Sequence, residues 1–543
     1  MKSKFNILLL CSLTLTVHGS KGGNIVTNAQ SDLFPVSIIH INDFHARYEE
    51  TNEGSTPCKP ANGEKCIGGY ARAVTVIKEL LMARSDTNPL YLNAGDNFQG
   101  TLWYNLFRWN VTSHFLNMLN ADAMTIGNHE FDNGVEGFVP FLETIRSPII
   151  VANIDDSDEP TMHGKYNKSI VIDKYARKIG IIGVILSTTN ELAQTGKLKF
   201  KDEIESIKSE ANVLKSQGVD IIIVLSHCGL EVDYKIARNA GSDIDVIVGG
   251  HSHTFMFTGD NPPGPDRPID DYPAIVQQDS GHKVLIVQAS AYTKYIGDLT
   301  VYFDAEGRVS SWEGCPIYLD THIKQDEDVL REIQPWKDLV DREGVRDLGT
   351  TKVPLSRTDC SVECNIGNFL TDAAVYYYID RAREGEWTRA SIALTNIGGI
   401  RTSLSIGTIT YADLITTMPF ENTLDLIELR GDHLLATLER HTLPSSGIKI
   451  VYNITQPVGQ RVVSMDLLCN ECSVPKYYPL DRTKMYPIIV NSFMAGGGDG
   501  LTVINEQKRN HIIGPLDMDV VIKYVERQSP IMIGIEGRTT ILQ

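Results

Sequence analysis

Gly127-Asn128-His129-Glu130-Phe131-Asp132 sets an amide ligand, an imidazole and carboxylates directly after the apolar run Ala123-Met124-Thr125-Ile126. Taken alone, such a cluster is more often a polar turn than a reactive site. Repetition changes the reading. The apolar run 36–41 ends in Asp43-Phe44-His45 and the run 90–94 in Gly95-Asp96-Asn97. The run 220–225 ends in Ser226-His227, and 244–248 in Gly249-Gly250-His251-Ser252-His253. Between these strands lie helical stretches, 71–82 with Val74, Ile77 and Leu81 on one face, and 202–217; a further strand is expected at 178–186. The alternation predicts an α/β fold. Open α/β sheets bind ligands beyond the carboxyl ends of their strands, so the five polar strand ends are expected to converge.

Asp43, His45, Asp96, Asn128, His227, His251 and His253 form an oxygen and nitrogen donor set without thiolate. Such a set suits two divalent ions, with zinc, manganese, calcium and magnesium as the candidates. Seven donors exceed the need of one catalytic ion that keeps an open position. Two ions sharing Asp96 are expected, with Asp43, His45 and His253 on one and Asn128, His227 and His251 on the other. Ions paired in this way activate water for in-line displacement at phosphorus. His129, oriented by Asp132, is the expected catalytic group beside them, stabilising phosphoryl charge or assisting the leaving oxygen. The competing readings are a purely supporting His129 and an exposed His253 that is no ligand.

The 543 residues are too many for one core, and 42% hydrophobic with 22% charged residues is a globular composition. Lys2 and Lys4, the apolar residues 7–13 and the small Gly19-Ser20 read as a secretory leader spanning 1–20. Sequons at Asn110, Asn167 and Asn453 agree with an extracellular chain. With no long apolar tail in the last residues, a soluble protein without lipid anchor is expected, and a monomer. Of nine cysteines, Cys58 with Cys66, Cys360 with Cys364 and Cys469 with Cys472 are close enough for small disulfides. Cys228 and Cys315 are left either as a pair or as buried thiols. A formal charge of -18 argues against nucleic acid as a partner, while a small anion remains compatible with a metal-lined cleft.

After Asp320 the pattern becomes a polar helical stretch, 327–342, and then loops of another character. These are Cys360-Ser361-Val362-Glu363-Cys364, Asn396-Ile397-Gly398-Gly399-Ile400-Arg401, Met418-Pro419-Phe420 and the glycine-rich 493–500. They carry no metal-ligand character and read as substrate-holding parts.

Asp43-Phe44-His45, Gly95-Asp96, Gly127-Asn128-His129-Glu130, His227 and Gly250-His251-Ser252-His253 resemble, in order, the motifs of the calcineurin-like metallophosphoesterases. With the loops of the second half, they resemble the 5'-nucleotidase family over nearly the whole mature chain. The resemblance implies a dimetal domain at 33–320, a β-sandwich flanked by helices. It further implies a linking helix within 321–345 and a nucleotide-binding α/β domain at 346–543. By the same resemblance Asn396 and Arg401 hold phosphate or ribose, Phe420 and Phe493 enclose the base, and Asp499 takes the ribose hydroxyls. Vertebrate membrane-anchored relatives carry an arginine inside the short cysteine loop; here Arg357, just before it, is the expected substitute. His253 stands where Asn or Gln is familiar, and Gly496 where Asn is.

The wording of the first motif most resembles the secreted apyrases of blood-feeding arthropods. The implied activity is removal of the terminal phosphates of ATP and ADP, suppressing ADP-driven platelet aggregation. A soluble 5'-nucleotidase acting on AMP is the alternative. A non-catalytic nucleotide scavenger and a cyclic-nucleotide phosphodiesterase are more distant ones.

Overall fold

Strand Phe34–Ile41 is buried on both faces because alternate residues serve two cores. Val36 and Ile38 join Leu90, Leu92, Ile181, Ile223 and Val246 in a cluster between two sheets. Ile39 and Ile41 pack with Tyr70, Val74 and Ile77 of helix Tyr70–Ala83 in a second cluster outside the sandwich. The computed structural model giving this arrangement describes residues 33–542 except 59, 61, 62, 174 and 359. The expected leader at 1–20 lies outside the described residues.

One sheet runs in the order Val309–Gly314, Tyr295–Phe303, Phe34–Ile41, Leu90–Asn93, Ala123–Met124. Its last three strands are parallel, so their carboxyl ends share one edge. The other sheet runs Ala274–Gln277, Lys283–Val287, Val246–Val248, Ile221–His227, Ile179–Ile185, Ser169–Ile172. Its four central strands are parallel and only the edge strands antiparallel. The expected α/β sandwich flanked by helices is therefore present.

Two strand ends depart from expectation. The third strand leaves the ladder at Met124, two residues early. A Cβ on Gly127 would fall 2.1 Å from Asp96 Oδ1 and 2.6 Å from His227 Nε2, so the chain must pass here as bare backbone. The strand expected at 220–225 continues to His227, which pairs with Ile185, so this histidine is held by a ladder instead of a loop.

Helix Glu327–Gly344 starts where Asp326 accepts the N–H groups of Asp328 and Val329. It buries Val329, Ile333, Val340 and Gly344 along one face. A Cβ on Gly344 would stand 3.1 Å from both Ala412 and Leu102, which places this helix end between the two halves. The second half holds a five-stranded sheet, Ser445–Ser446, Ile392–Leu394, Met485–Asn491, Leu424–Arg430, Arg509–Ile512. A four-stranded sheet, Tyr477–Pro479, Val462–Leu468, Ile448–Asn453, Thr539–Leu542, lies beside it.

Cys58–Cys66, Cys360–Cys364 and Cys469–Cys472 are disulfides as expected. Cys228 is a buried free thiol, so it forms no bridge to Cys315. Among the described residues no helix is long and apolar enough to cross a membrane.

Candidate active site

The five polar strand ends, three from one sheet and two from the other, meet at one edge of the sandwich. Asp43, His45, Asp96, His251 and His253 all adopt left-handed backbone, with φ between 49° and 73°. Asp and His tolerate this conformation better than most residues, but its repetition is strain that the surrounding bonds must hold. Backbone ties do so: Asp43 N–H donates to Gly95 O and His45 N–H to Asp96 O, each at 3.0 Å.

Ligand atoms of Asp43, His45, Asp96 and His253 lie within 4.8 Å of one another, and those of Asp96, His227 and His251 form a second such group. Asp96 belongs to both, as a shared carboxylate requires. Asn128 Oδ1 lies 2.9 Å from His251 Nδ1. His227 donates from Nδ1 to Ala94 O at 2.7 Å, and His45 from Nδ1 to Phe98 O at 3.1 Å. Each imidazole is thereby oriented with Nε2 facing the cluster, the arrangement that metal-binding histidines need.

The electrostatics fit cations. Burial opposes protonation of His227, yet the Asp96 and Asp43 carboxylates outweigh it and raise the imidazole to about 10. The carboxylates therefore call for positive charge at this position. His45 is driven the other way, first by burial and then by Arg401, well below the usual histidine range, which leaves a neutral ring able to ligate. With thiolate-free donors and oriented rings, the residues fit two divalent cations.

Sequence reasoning passed over the supports. Glu130 is 1% exposed and accepts the backbone N–H groups of Asp96, Asn97, Phe98 and Gly127, tying two strand ends together. Asn42 bonds Asp43 Oδ2 and the Ser290 carbonyl and accepts Ala289 N–H. Gln288 accepts from Ser252 Oγ and Thr254 N–H and donates to Gly250 O, bracing the turn that carries His251 and His253. Only Glu130, inside the opening motif, left a signal; the others are recognisable once partners are known.

His129 Nδ1 lies 2.8 Å from Asp132 Oδ2, and Nε2 lies 3.9 Å from Asp96 Oδ2. Burial disfavours its charge, but Asp132 and Asp96 prevail and raise it above the usual range. The Phe420 ring stacks on it with centroids 5.4 Å apart. Arg401 reaches across from the second half, its NH2 3.3 Å from His45 Nε2. Arg357 donates from Nε to Ile400 O, beside Arg401. Asn396 donates to Asp499 Oδ2 at 2.7 Å and accepts from Asn491 at 2.9 Å. Phe493 lies across Gly498, where any Cβ would meet its ring at 2.4 Å. Among the described residues Phe420 and Phe493 do not stack on each other. Both halves also touch through Asn105 Nδ2 to Pro419 O at 3.2 Å and Arg108 to Glu421 at 2.8 Å, on either side of Phe420.

Comparison with known proteins matches residues 36–255 to the calcineurin-like phosphoesterase model and 347–506 to the 5'-nucleotidase C-terminal domain model. The chain is 50% identical to the apyrase of Tabanus yao over 525 residues, covering 94% of each. It is 40% identical to the apyrase of Anopheles gambiae, covering 97% of this chain and 93% of that one. The crystal structure of a 5'-nucleotidase precursor from Thermus thermophilus superposes with a TM-score of 0.85 at 32% identity, covering 94% of this chain and 99% of that one. Calcineurin-like phosphoesterases use two divalent metals, and the paired Asp and His groups answer to that requirement. The chain is thus a nucleotide phosphohydrolase and belongs to the 5'-nucleotidase family of calcineurin-like phosphoesterases.

Proposed function

We propose that the chain is a secreted apyrase that hydrolyses extracellular ATP and ADP to AMP and phosphate, and so suppresses ADP-driven platelet aggregation. The observation that carries this reading is the 50% identity, over 94% of both chains, to the apyrase of Tabanus yao. The leader read in residues 1–20 supports secretion.

In this reading Asp43, His45 and His253 would hold one cation and Asn128, His227 and His251 the other, with Asp96 available to each. Bound there, the cations would acidify a water and polarise a phosphoryl oxygen. The side chains do the rest. Arg401 and Arg357 grip phosphate oxygens through planar guanidinium forks. His129, kept cationic by Asp132, donates toward the phosphoryl or leaving oxygen. Phe420 and Phe493 stack on the base, while Asn396 and Asp499 take the ribose.

A second reading, a soluble 5'-nucleotidase converting AMP to adenosine, is supported by the likeness to the Thermus thermophilus 5'-nucleotidase precursor. It uses the same donors and base clamp. The retained His129 and Asp132 pair counts against a scavenger that binds without turnover.

The test is phosphate release from ATP, ADP and AMP in parallel, with calcium, magnesium or zinc and a chelated control. Release from ATP and ADP with little from AMP is expected. Release mainly from AMP transfers the protein to the second reading, and none with any metal leaves the scavenger.

A further inference from the structure

Tyr292 was singled out by neither the motifs nor the ligand set, yet it forms a wall of the site. Its ring lies 5.4 Å from His45 and 5.1 Å from His253, centroid to centroid. The Arg47 guanidinium lies against it, 4.5 Å from the centroid. Arg47 is 2% exposed, and its NH1 donates to the carbonyls of His45 and Gly100, so it is fixed to the same turn that carries His45. The ring is thus held between a buried cation and two histidines of the metal cluster.

The backbone is held as firmly. Ser290, Tyr292 and Thr293 have φ of 58°, 61° and 57°, three left-handed non-glycine residues in four positions. Such strain persists only where surrounding bonds over-determine it, and it gathers at ligand clamps. Tyr292 N–H donates to Asp43 O at 2.9 Å, Asn42 Nδ2 donates to Ser290 O, and Thr293 Oγ1 accepts Gly69 N–H at 2.8 Å. The phenol stands outside these bonds. The side chain is only half-buried, and no described residue hydrogen-bonds its hydroxyl.

Arg401 reaches the same His45 that Tyr292 packs against, its guanidinium 3.3 Å from His45 Nε2. Tyr292 therefore stands where two guanidinium groups, Arg47 on its ring and Arg401 on the neighbouring His45, border the site. A phenol O–H donates well to a phosphate oxygen, and a hydrogen bond to a charged acceptor is among the stronger ones.

We propose that Tyr292, positioned by Arg47, is a specificity-determining residue that donates its hydroxyl to a non-reacting phosphate of a nucleoside di- or triphosphate. This rests on the apyrase reading above. A substrate with a single phosphate offers no such oxygen, so the contact favours a phosphate chain over a monoester.

The experiment compares wild-type protein and Tyr292→Phe, both metal-loaded, on ADP and on p-nitrophenyl phosphate. The isosteric change keeps the ring against Arg47 and removes only the hydroxyl. The ratio of kcat/KM for ADP to that for p-nitrophenyl phosphate is expected to fall by about tenfold, mainly through KM for ADP. An unchanged ratio, whether both activities hold or both fall together, overturns the assignment. Wild-type protein that releases no phosphate from ADP instead defeats the apyrase reading itself, before the variant is considered.

Discussion

The Phe420 ring lies nearly parallel to the His129 imidazole, with centroids 5.4 Å apart and planes 19° from each other. These two residues come from opposite halves of the chain, 291 positions apart by their numbering. A side chain of the second half therefore covers the face of the residue proposed to protonate the substrate. The edge of the imidazole remains with Asp132 on one side and Asp96 on the other. Stacking shields the face while the carboxylates favour the protonated ring.

His129→Ala removes the proposed donor and leaves every side chain of the two donor groups present. The expected result is a fall in kcat of about 10²- to 10⁴-fold with a smaller change in KM. Asp132→Asn keeps an acceptor for Nδ1 but loses the charge that raises the imidazole, so a smaller loss is expected. Steady-state kinetics on ADP checks both, and an unimpaired His129→Ala enzyme would refute the catalytic assignment.

Phe420→Ala opens the face of His129 and removes one wall of the proposed base slot. Aromatic stacking on a base is worth about 1–3 kcal/mol, so kcat/KM for ADP should drop roughly tenfold to a hundredfold. Hydrolysis of p-nitrophenyl phosphate, which presents no purine, should suffer less. Equal losses on both substrates would mean that Phe420 serves His129 alone.

The donor set was legible because each donor follows an apolar strand, and parallel strands in a sandwich bring their carboxyl ends together. Counting donors against two ions calls for one shared carboxylate, and among the described residues Asp96 falls in both candidate groups. What composition and spacing could not give were contacts that depend on tertiary approach. Glu130 bonds four backbone groups from two strand ends, and Gln288 braces a turn from a strand of the same sheet. Tyr292 was hidden for a different reason: it looks like one more aromatic residue before an apolar strand, and only the fold brings it against the Arg47 guanidinium and the His45 and His253 rings. The early end of the third strand was likewise invisible, since Thr125-Ile126 continue the apolar run and only the approach of Gly127 to Asp96 ends the ladder.

Glu130→Ala should unmake the site from beneath. Four buried N–H groups lose their acceptor, and each unsatisfied group costs about 1–3 kcal/mol, so a loss of roughly 3 kcal/mol or more is expected after partial relaxation. Activity should fall with stability, because the strand ends bearing Asp96 and Asn128 lose their tie. Urea unfolding of both proteins measures the difference; a change below about 1 kcal/mol would show that water replaces the carboxylate readily.

Asp517 supplies a pH test away from the donor set. It opens helix Asp517–Gln528, is 7% exposed, and borders a cavity with Phe420, Asn422 and Asn491. Burial pushes its carboxyl from the ordinary 3.8 up to about 7, a shift that the Met518 N–H at 2.7 Å opposes and the Glu421 carboxylate reinforces. Between those values the folded chain holds a proton that the unfolded chain has released. Raising the pH therefore favours unfolding across that window, by about 1.4 kcal/mol per pH unit from this group at most. The favourable term is complete below the unfolded value and is lost as the pH climbs through the folded one. Asp517→Asn stays neutral throughout and carries no such slope. Its stability relative to wild type should accordingly rise from pH about 5 to pH about 8, read from urea unfolding at both. A relative stability that instead falls with pH would mean that the folded protein holds Asp517 as a carboxylate, with the helix start and the Met518 N–H outweighing burial.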